Sequence, residues 1–174
     1  MTKTYKSIQC SALKDVAEFM CLAARTAPKT RGRDNLIIAL LEPEDKEKVI
    51  AKMLEIARRD GRKSFERDAG NLKDAEQIVM IASRKNAIGL DCGFCGHPTC
   101  SSLEASGGVC AYNSMDLGIA LGSASALAAD FRADNRLMFS IGKAAIELGL
   151  LGSDAFLAIG VPLSGTGKNP FFDR

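Results

Sequence analysis

The chain has little net charge, a single histidine and no apolar run of membrane length, and each shortage narrows what it can be. Its 23 lysines and arginines stand against 21 acids, for a formal net charge of +2. Charge alone therefore implies no broad basic face and no nucleic-acid partner, and any anion site must be local. Positive charge in Met1 to Lys6 is followed by no apolar stretch of leader length, which points to a cytoplasmic protein. The most apolar segment, Leu117 to Ala129, is rich in Gly, Ser and Ala and falls short of the roughly 20 residues of a bilayer span, so it reads as a buried helix. No period of about 20 to 50 residues repeats, which excludes solenoids. No cluster of titratable side chains stands out as an acid–base pair, so no catalytic residue is named.

At 174 residues with 47% hydrophobic content, the chain suffices for one sizeable core, and a single domain over 1–174 is expected. Leu13, Val16, Ala17, Met20 and Ala24 recur at helical spacing after Ser11, a suitable N-cap, until Pro28 ends the helix. Asn35 to Leu41 reads as a buried strand. Pro43, Glu44 and Asp45 open a helix with the core stripe Val49, Ile50, Met53, Leu54 and Ala57. Phe65 to Lys73, with Gly70 and Asn71, reads as a loop, and Gln77 to Ala82 as a second buried strand. A helix is expected from Met115 to about Ala129, capped by Asn113 or Ser114, with Gly118, Gly122, Ser125 and Ala129 forming a face of small residues. Another follows from Met138 to Leu148, and a last strand from Phe156 to Val161. Together these elements make an α+β protein with a central sheet flanked by helices.

Six cysteines are present, and four of them, Cys92, Cys95, Cys100 and Cys110, fall within Asp91 to Cys110. Cys92 and Cys95 form a Cys-x2-Cys pair, the spacing at which a tight turn faces two thiolates to one metal centre, and Gly93, Gly96 and Pro98 suit that turn. Ser101 to Ala105 can form one helical turn that returns the chain to Cys110. Four thiolates suit either a structural zinc ion or an iron–sulfur cluster; a disulfide cluster is disfavoured because nothing marks the chain as secreted. His97 reads as a turn residue rather than a ligand, since four cysteines already fill the site. Cys10 and Cys21 read as small core residues.

Arg25 to Asp34 crowds Arg25, Lys29, Arg31 and Arg33 around a glycine, with Thr26 and Thr30 as further donors. Such a loop is either solvated or holds an anion, and phosphate matches the planar fork of arginine. Gly165-Thr-Gly-Lys168 near the end is not a nucleotide-binding P-loop: Pro162 stands where its first glycine belongs, Asn169 replaces Ser or Thr, and too little chain follows for the phosphate-binding helix.

Three sets of words resemble known families. Asp91-Cys-Gly-x-Cys-Gly-x-Pro-x-Cys100 is similar to the opening of the four-iron cluster domain of corrinoid iron–sulfur proteins; there the fourth cysteine follows a longer helical segment, whereas nine residues precede Cys110 here. Ala-Ala-Arg25-Thr-Ala-Pro28 at one end and Ala-Ile-Gly160-Val-Pro162 at the other resemble the nitroreductase-like flavoproteins. The whole chain resembles a bacterial and archaeal family described only as containing a ferredoxin domain. These likenesses imply a nitroreductase-like domain carrying a cysteine-rich, ferredoxin-like insert at 91–110. They favour a 4Fe-4S cluster over zinc at Cys92, Cys95, Cys100 and Cys110. They imply FMN held by Arg25, Lys29, Thr30, Arg31 and Arg33 with Lys168 or Arg174, in a homodimer. The expected activity is that of a flavin and iron–sulfur oxidoreductase passing electrons from a redox carrier or nicotinamide cofactor to an acceptor. The alternatives are a non-catalytic zinc-stabilised binding module and a flavin-free, ferredoxin-like carrier.

Overall fold

A computed structural model of the chain describes residues 2–172. Helix α1 spans Tyr5–Thr26 and starts six residues before Ser11, because Thr4 is the N-cap and its hydroxyl accepts the Ser7 N–H. Its buried stripe, Leu13, Val16, Ala17, Met20 and Ala24, is the one the sequence spacing gives. Cys10 is exposed and Cys21 half-buried, so neither is the core residue expected. A 3-10 turn at Thr30–Gly32 leads into strand β1, Leu36–Leu40. Helix α2, Pro43–Asp60, begins on proline and ends on Gly61 in the left-handed region, at φ 67°.

The segment expected to be a loop is helix α3, Lys63–Leu72. Phe65, Asp68, Ala69 and Leu72 are buried on one side of it, and this i, i+3, i+4, i+7 spacing outweighs the helix-weakening Gly70 and Asn71. Strand β2 is Gln77–Arg84. Short helix α4, Cys100–Ala105, is followed by α5, Ala111–Asp130, whose N-cap is Cys110 rather than Asn113 or Ser114. The dense polar stretch that follows contributes β3, Asp134–Asn135, before α6, Phe139–Glu147, and strand β4, Ala155–Ser164.

The sheet is antiparallel with strand order β1-β2-β4-β3. β4 runs through Pro162 instead of stopping at Val161. Leu163 turns its carbonyl to β2 to accept the Glu76 N–H, and Gly160 exchanges both backbone bonds with Met138 on the other side. Pro162 therefore turns its nitrogen away from β2, towards a side where β3 reaches only Leu163 and Ser164. No ladder bond is lost there.

Helices α1 and α5 cover one face of the sheet, burying Val79, Ile81, Val161 and Leu163. Helices α2, α3 and α6 cover the other, burying Ile78, Met80 and Ala82. β2 is thus packed on both sides, which explains its unbroken apolar run. A Cβ at Gly142 of α6 would stand 1.8 Å from the Ala158 carbonyl oxygen, and one at Gly160 would stand 2.4 Å from Ile141. These two glycines let α6 lie directly on β4. Among the described residues no helix is long and apolar enough to cross a membrane.

Candidate functional site

The cysteine segment leaves β2 and packs on a core of its own. Ile88, Leu103 and Cys110 are buried together, with Ala87, Cys95 and Tyr112 against them. Gly93 and Gly96 adopt φ of 74° and 81°, and the Gly96 N–H donates to the Gly93 carbonyl at 2.9 Å. This turn, which glycine adopts without strain, carries Cys92 and Cys95. Asp91, itself at φ 46°, accepts the Cys100 N–H at 2.6 Å and so joins the two ends of the loop. Thr99 and Ser102 cap α4 reciprocally. Cys100 is the first residue of α4 and Cys110 the N-cap of α5, a helix of 20 residues whose N-terminus carries the positive end of the helix dipole.

All six cysteines are free thiols, so the disulfide cluster is not formed. Cys92, Cys95, Cys100 and Cys110 line one cavity with Ile88 and Leu103, and the space between them is about 10 Å³, room for one water. Among the described residues no three His, Cys, Asp or Glu side chains gather closely enough for a single metal ion. A tetrahedral zinc needs sulfurs about 3.8 Å apart, from a bond length of about 2.3 Å. A four-iron cluster takes each sulfur on a different iron and needs a wider ring. Cys92 is exposed while Cys95 and Cys100 are half-buried, so their side chains are not locked in the core. The donor set fits both. His97 lines the same cavity, and its Nε2 lies 3.4 Å from the Ser106 hydroxyl.

The basic loop adjoins this segment, and its cations are engaged within the chain. Arg33 donates to the Ile88 carbonyl at 3.0 Å and Arg31 to that of Gly89 at 3.3 Å, so two guanidiniums hold the start of the cysteine segment. Arg25 pairs with Asp34. Burial pushes the Asp34 carboxyl up, but hydrogen bonds from Arg25 and the Leu36 N–H, with the charges of Arg25 and Lys29, hold it below the usual carboxylate range. Lys29 donates to the carbonyls of Ala24, Arg25 and Ala27 at the end of α1. Thr30 gives Asp116 its N–H at 3.1 Å and its hydroxyl at 2.8 Å.

Lys168 does not join this group. It lines a separate cleft with Lys6, Lys46, Lys73 and Thr166. Lys6 begins α1 and the basic loop follows its end, so the two sites are separated by roughly the 33 Å of a 22-residue helix. Arg174 lies outside the described residues. Two polar residues are buried in α5: Asp116, 3% exposed and not singled out from the sequence, and Asn113, 1% exposed and expected there only as an N-cap. Their signal was present, since both fall on the stripe that continues through Leu117, Ala120 and Leu121.

The outer face of the α1–α5 layer is apolar and open. Phe19, Leu22, Met115, Ile119 and Phe131 are exposed, Phe19 and Phe131 stack at 6.1 Å, and Gly118 and Gly122 have nothing within 4 Å of a built Cβ.

Comparison with known proteins supports the frame. Residues 106–174 match a family model described as "Uncharacterized protein containing a ferredoxin domain". A relative from Archaeoglobus fulgidus, described as an uncharacterized protein, is 39% identical over 178 residues, covering 97% of this chain and 95% of its own. Among solved structures, the hypothetical oxidoreductase YcnD from Bacillus subtilis matches with a TM-score of 0.58 at 15% identity, over 90% of this chain and 59% of its own. A putative NADH dehydrogenase/NAD(P)H nitroreductase from Bacteroides thetaiotaomicron matches at 0.59 and 11%, over 92% and 80%. Iodotyrosine deiodinase bound to FMN and 3-iodo-L-tyrosine matches at 0.60 and 12%, over 92% and 83%. The fold is therefore that of the nitroreductase-like flavoproteins, and the chain spans less than two thirds of YcnD.

Proposed function

Because the chain belongs to the family described as containing a ferredoxin domain, and has the nitroreductase fold, we propose that it is a redox protein holding an iron–sulfur cluster on Cys92, Cys95, Cys100 and Cys110. The observation that carries this reading is that these four free thiols line one cavity. A bound cluster passes electrons singly, and a bound flavin takes two and releases them one at a time, so the pair converts between hydride and one-electron carriers. The chain's own work is to position and to tune. The glycine turn presents Cys92 and Cys95, Asp91 fixes Cys100, and the start of α5 places positive potential at Cys110.

FMN is assigned to the basic loop. Arg31 and Arg33 each commit one N–H to a backbone carbonyl and remain exposed, which leaves further donors for phosphate. Lys168 is not part of that site within one chain. A second copy of the chain is assigned to the open apolar face of α1 and α5, making a homodimer. The electron donor is assigned to the class of reduced carriers or nicotinamide cofactors.

The flavin-free carrier is the second reading. It is favoured by the internal partners of Arg25, Lys29, Arg31 and Arg33 and by the distance of Lys168. Absorbance of anaerobically purified protein before and after reduction, with iron, sulfide, zinc and flavin analysis of the same sample, separates the readings. Iron and sulfide with a bleachable visible band are expected. Colourless protein holding only zinc overturns the proposal, and iron and sulfide without flavin selects the carrier.

A further inference from the structure

Asn113 is 1% exposed, and neither its Nδ2 nor its Oδ1 has a hydrogen-bond partner. Both atoms expose less than 1 Å², so water does not satisfy them either. A primary amide sealed in this way loses its hydration without replacement, a cost that a leucine of similar size would avoid. The position is specific. Asn113 is one helical turn beyond Cys110, its N–H donates to the Cys110 carbonyl at 3.0 Å, and the two residues line one cavity with Leu103 and Gly108. Cys110 is also in the wall of the cysteine cavity. With Leu103 it is therefore shared between the wall of the thiol cavity and the wall beside the orphaned amide. A sulfur-bearing centre loaded on Cys110 is the one acceptor that the proposed function brings to this corner, and sulfur takes N–H donors well.

We propose that Asn113 is a positioning residue of the centre, whose side-chain N–H hydrogen-bonds sulfur at Cys110 in the loaded protein and raises the reduction potential. The inference rests on the iron–sulfur reading of the four cysteines. A hydrogen bond to sulfur favours the reduced, more negative state, which sets the sign of the effect. It also predicts opposite outcomes in the two forms of the protein. Without the centre the amide is a burden, and with it the side-chain N–H gains an acceptor.

The test compares wild type, Asn113→Leu and Asn113→Gln. Iron and sulfide content of wild type comes first; if no cluster loads, the underlying reading falls, and this inference with it, before any variant is compared. With a loaded wild type, Asn113→Leu is expected to melt higher than wild type in the metal-free form, to show a more negative midpoint potential when loaded, and to lose iron faster to a chelator. Asn113→Gln keeps the amide and is expected to move the potential back towards wild type. An unchanged midpoint in Asn113→Leu overturns the proposal and leaves Asn113 an ordinary buried amide. If the leucine variant fails to fold, Asn113→Ser, which keeps a hydroxyl donor, is read against Asn113→Ala for the same potential difference, and equal potentials in that pair overturn it as well.

Discussion

Strand β2 is covered on both faces by helices, with Ile78, Met80 and Ala82 on one side and Val79 and Ile81 on the other. The segment from Lys85 to Cys110 buries only Ile88, Leu103 and Cys110 together. The first region is held by apolar contact and has no need of a ligand. The second is held by devices of position: two glycines at positive φ, a carboxylate on a backbone N–H, a reciprocal cap, and two arginines on carbonyls. Three buried residues supply little hydrophobic stabilisation, so a cofactor bound there is expected to order the segment while leaving the frame unchanged.

The comparison is broken most severely from the side of the frame. Gly142→Val places a branched side chain where even a Cβ meets the Ala158 carbonyl at 1.8 Å. The backbone of β4 cannot yield without disturbing its pairing with β2, so a loss of at least about 3 kcal/mol is expected, read by chemical denaturation or as failure to accumulate folded protein. Cys92→Ser acts on the other region alone. Cys92 is exposed, so the metal-free variant is expected to denature within about 0.5 kcal/mol of wild type while the iron and visible absorbance of the proposed cluster are lost. If the melting temperature of metal-free protein drops sharply instead, the two regions are not independent.

Asp116 tests the joint between them. It lies on α5 in the layer over the sheet, yet holds Thr30, whose loop carries Arg31 and Arg33 to the cysteine segment. Asp116→Ala leaves the Thr30 N–H and hydroxyl without their acceptor and is expected to cost about 1 to 3 kcal/mol. Arg33→Met removes the donor to Ile88 while keeping an apolar stem. It is expected to leave global stability nearly unchanged and to speed amide exchange of residues 88–100 relative to β2.

The frame was legible in the sequence because burial on one side of a helix or on both sides of a strand leaves a periodic or continuous apolar record. Where that record conflicts with local propensity, it was misread. Gly70 and Asn71 suggest a loop, but Phe65, Ala69 and Leu72 form the stripe that decides α3. Pro162 suggests an end, but its nitrogen faces a stretch without a ladder partner. The cysteines were legible by type and spacing. Their neighbours were not, because nothing in the order of residues says that Arg33 meets Ile88, 55 positions away, or that Asp116 meets Thr30 across 86. The charge crowding of the basic loop suggested an external anion, and the structure supplies internal acceptors for each of its cations. Lys168 was grouped with them by the nitroreductase resemblance; α1 keeps them apart.

Acid provides the gentlest separation of the two regions. Arg59 at the end of α2 grips Glu147 at the end of α6 through two bonds of 3.0 and 3.1 Å, and Lys143 adds a third at 3.1 Å. The Arg59 hydrogen bonds hold the Glu147 carboxyl down at about 2, against the opposing effect of its slight burial, with Lys143 assisting. A carboxyl whose value is lowered by folding stabilises the native state fully above its ordinary value of 4.5. That contribution fades as pH falls from there towards 2, because the unfolded chain takes up the proton first. The pair is exposed to solvent and screened, so the effect is small. In Glu147→Gln the fall in melting temperature of metal-free protein between pH 5 and pH 3 is expected to be shallower than in wild type, with the two converging at the acid end. Amide exchange within 88–100 is expected to be the same in both proteins, since the grip lies on the sheet face opposite α5. An equal slope in both proteins would show that Arg59 does not hold Glu147 in solution.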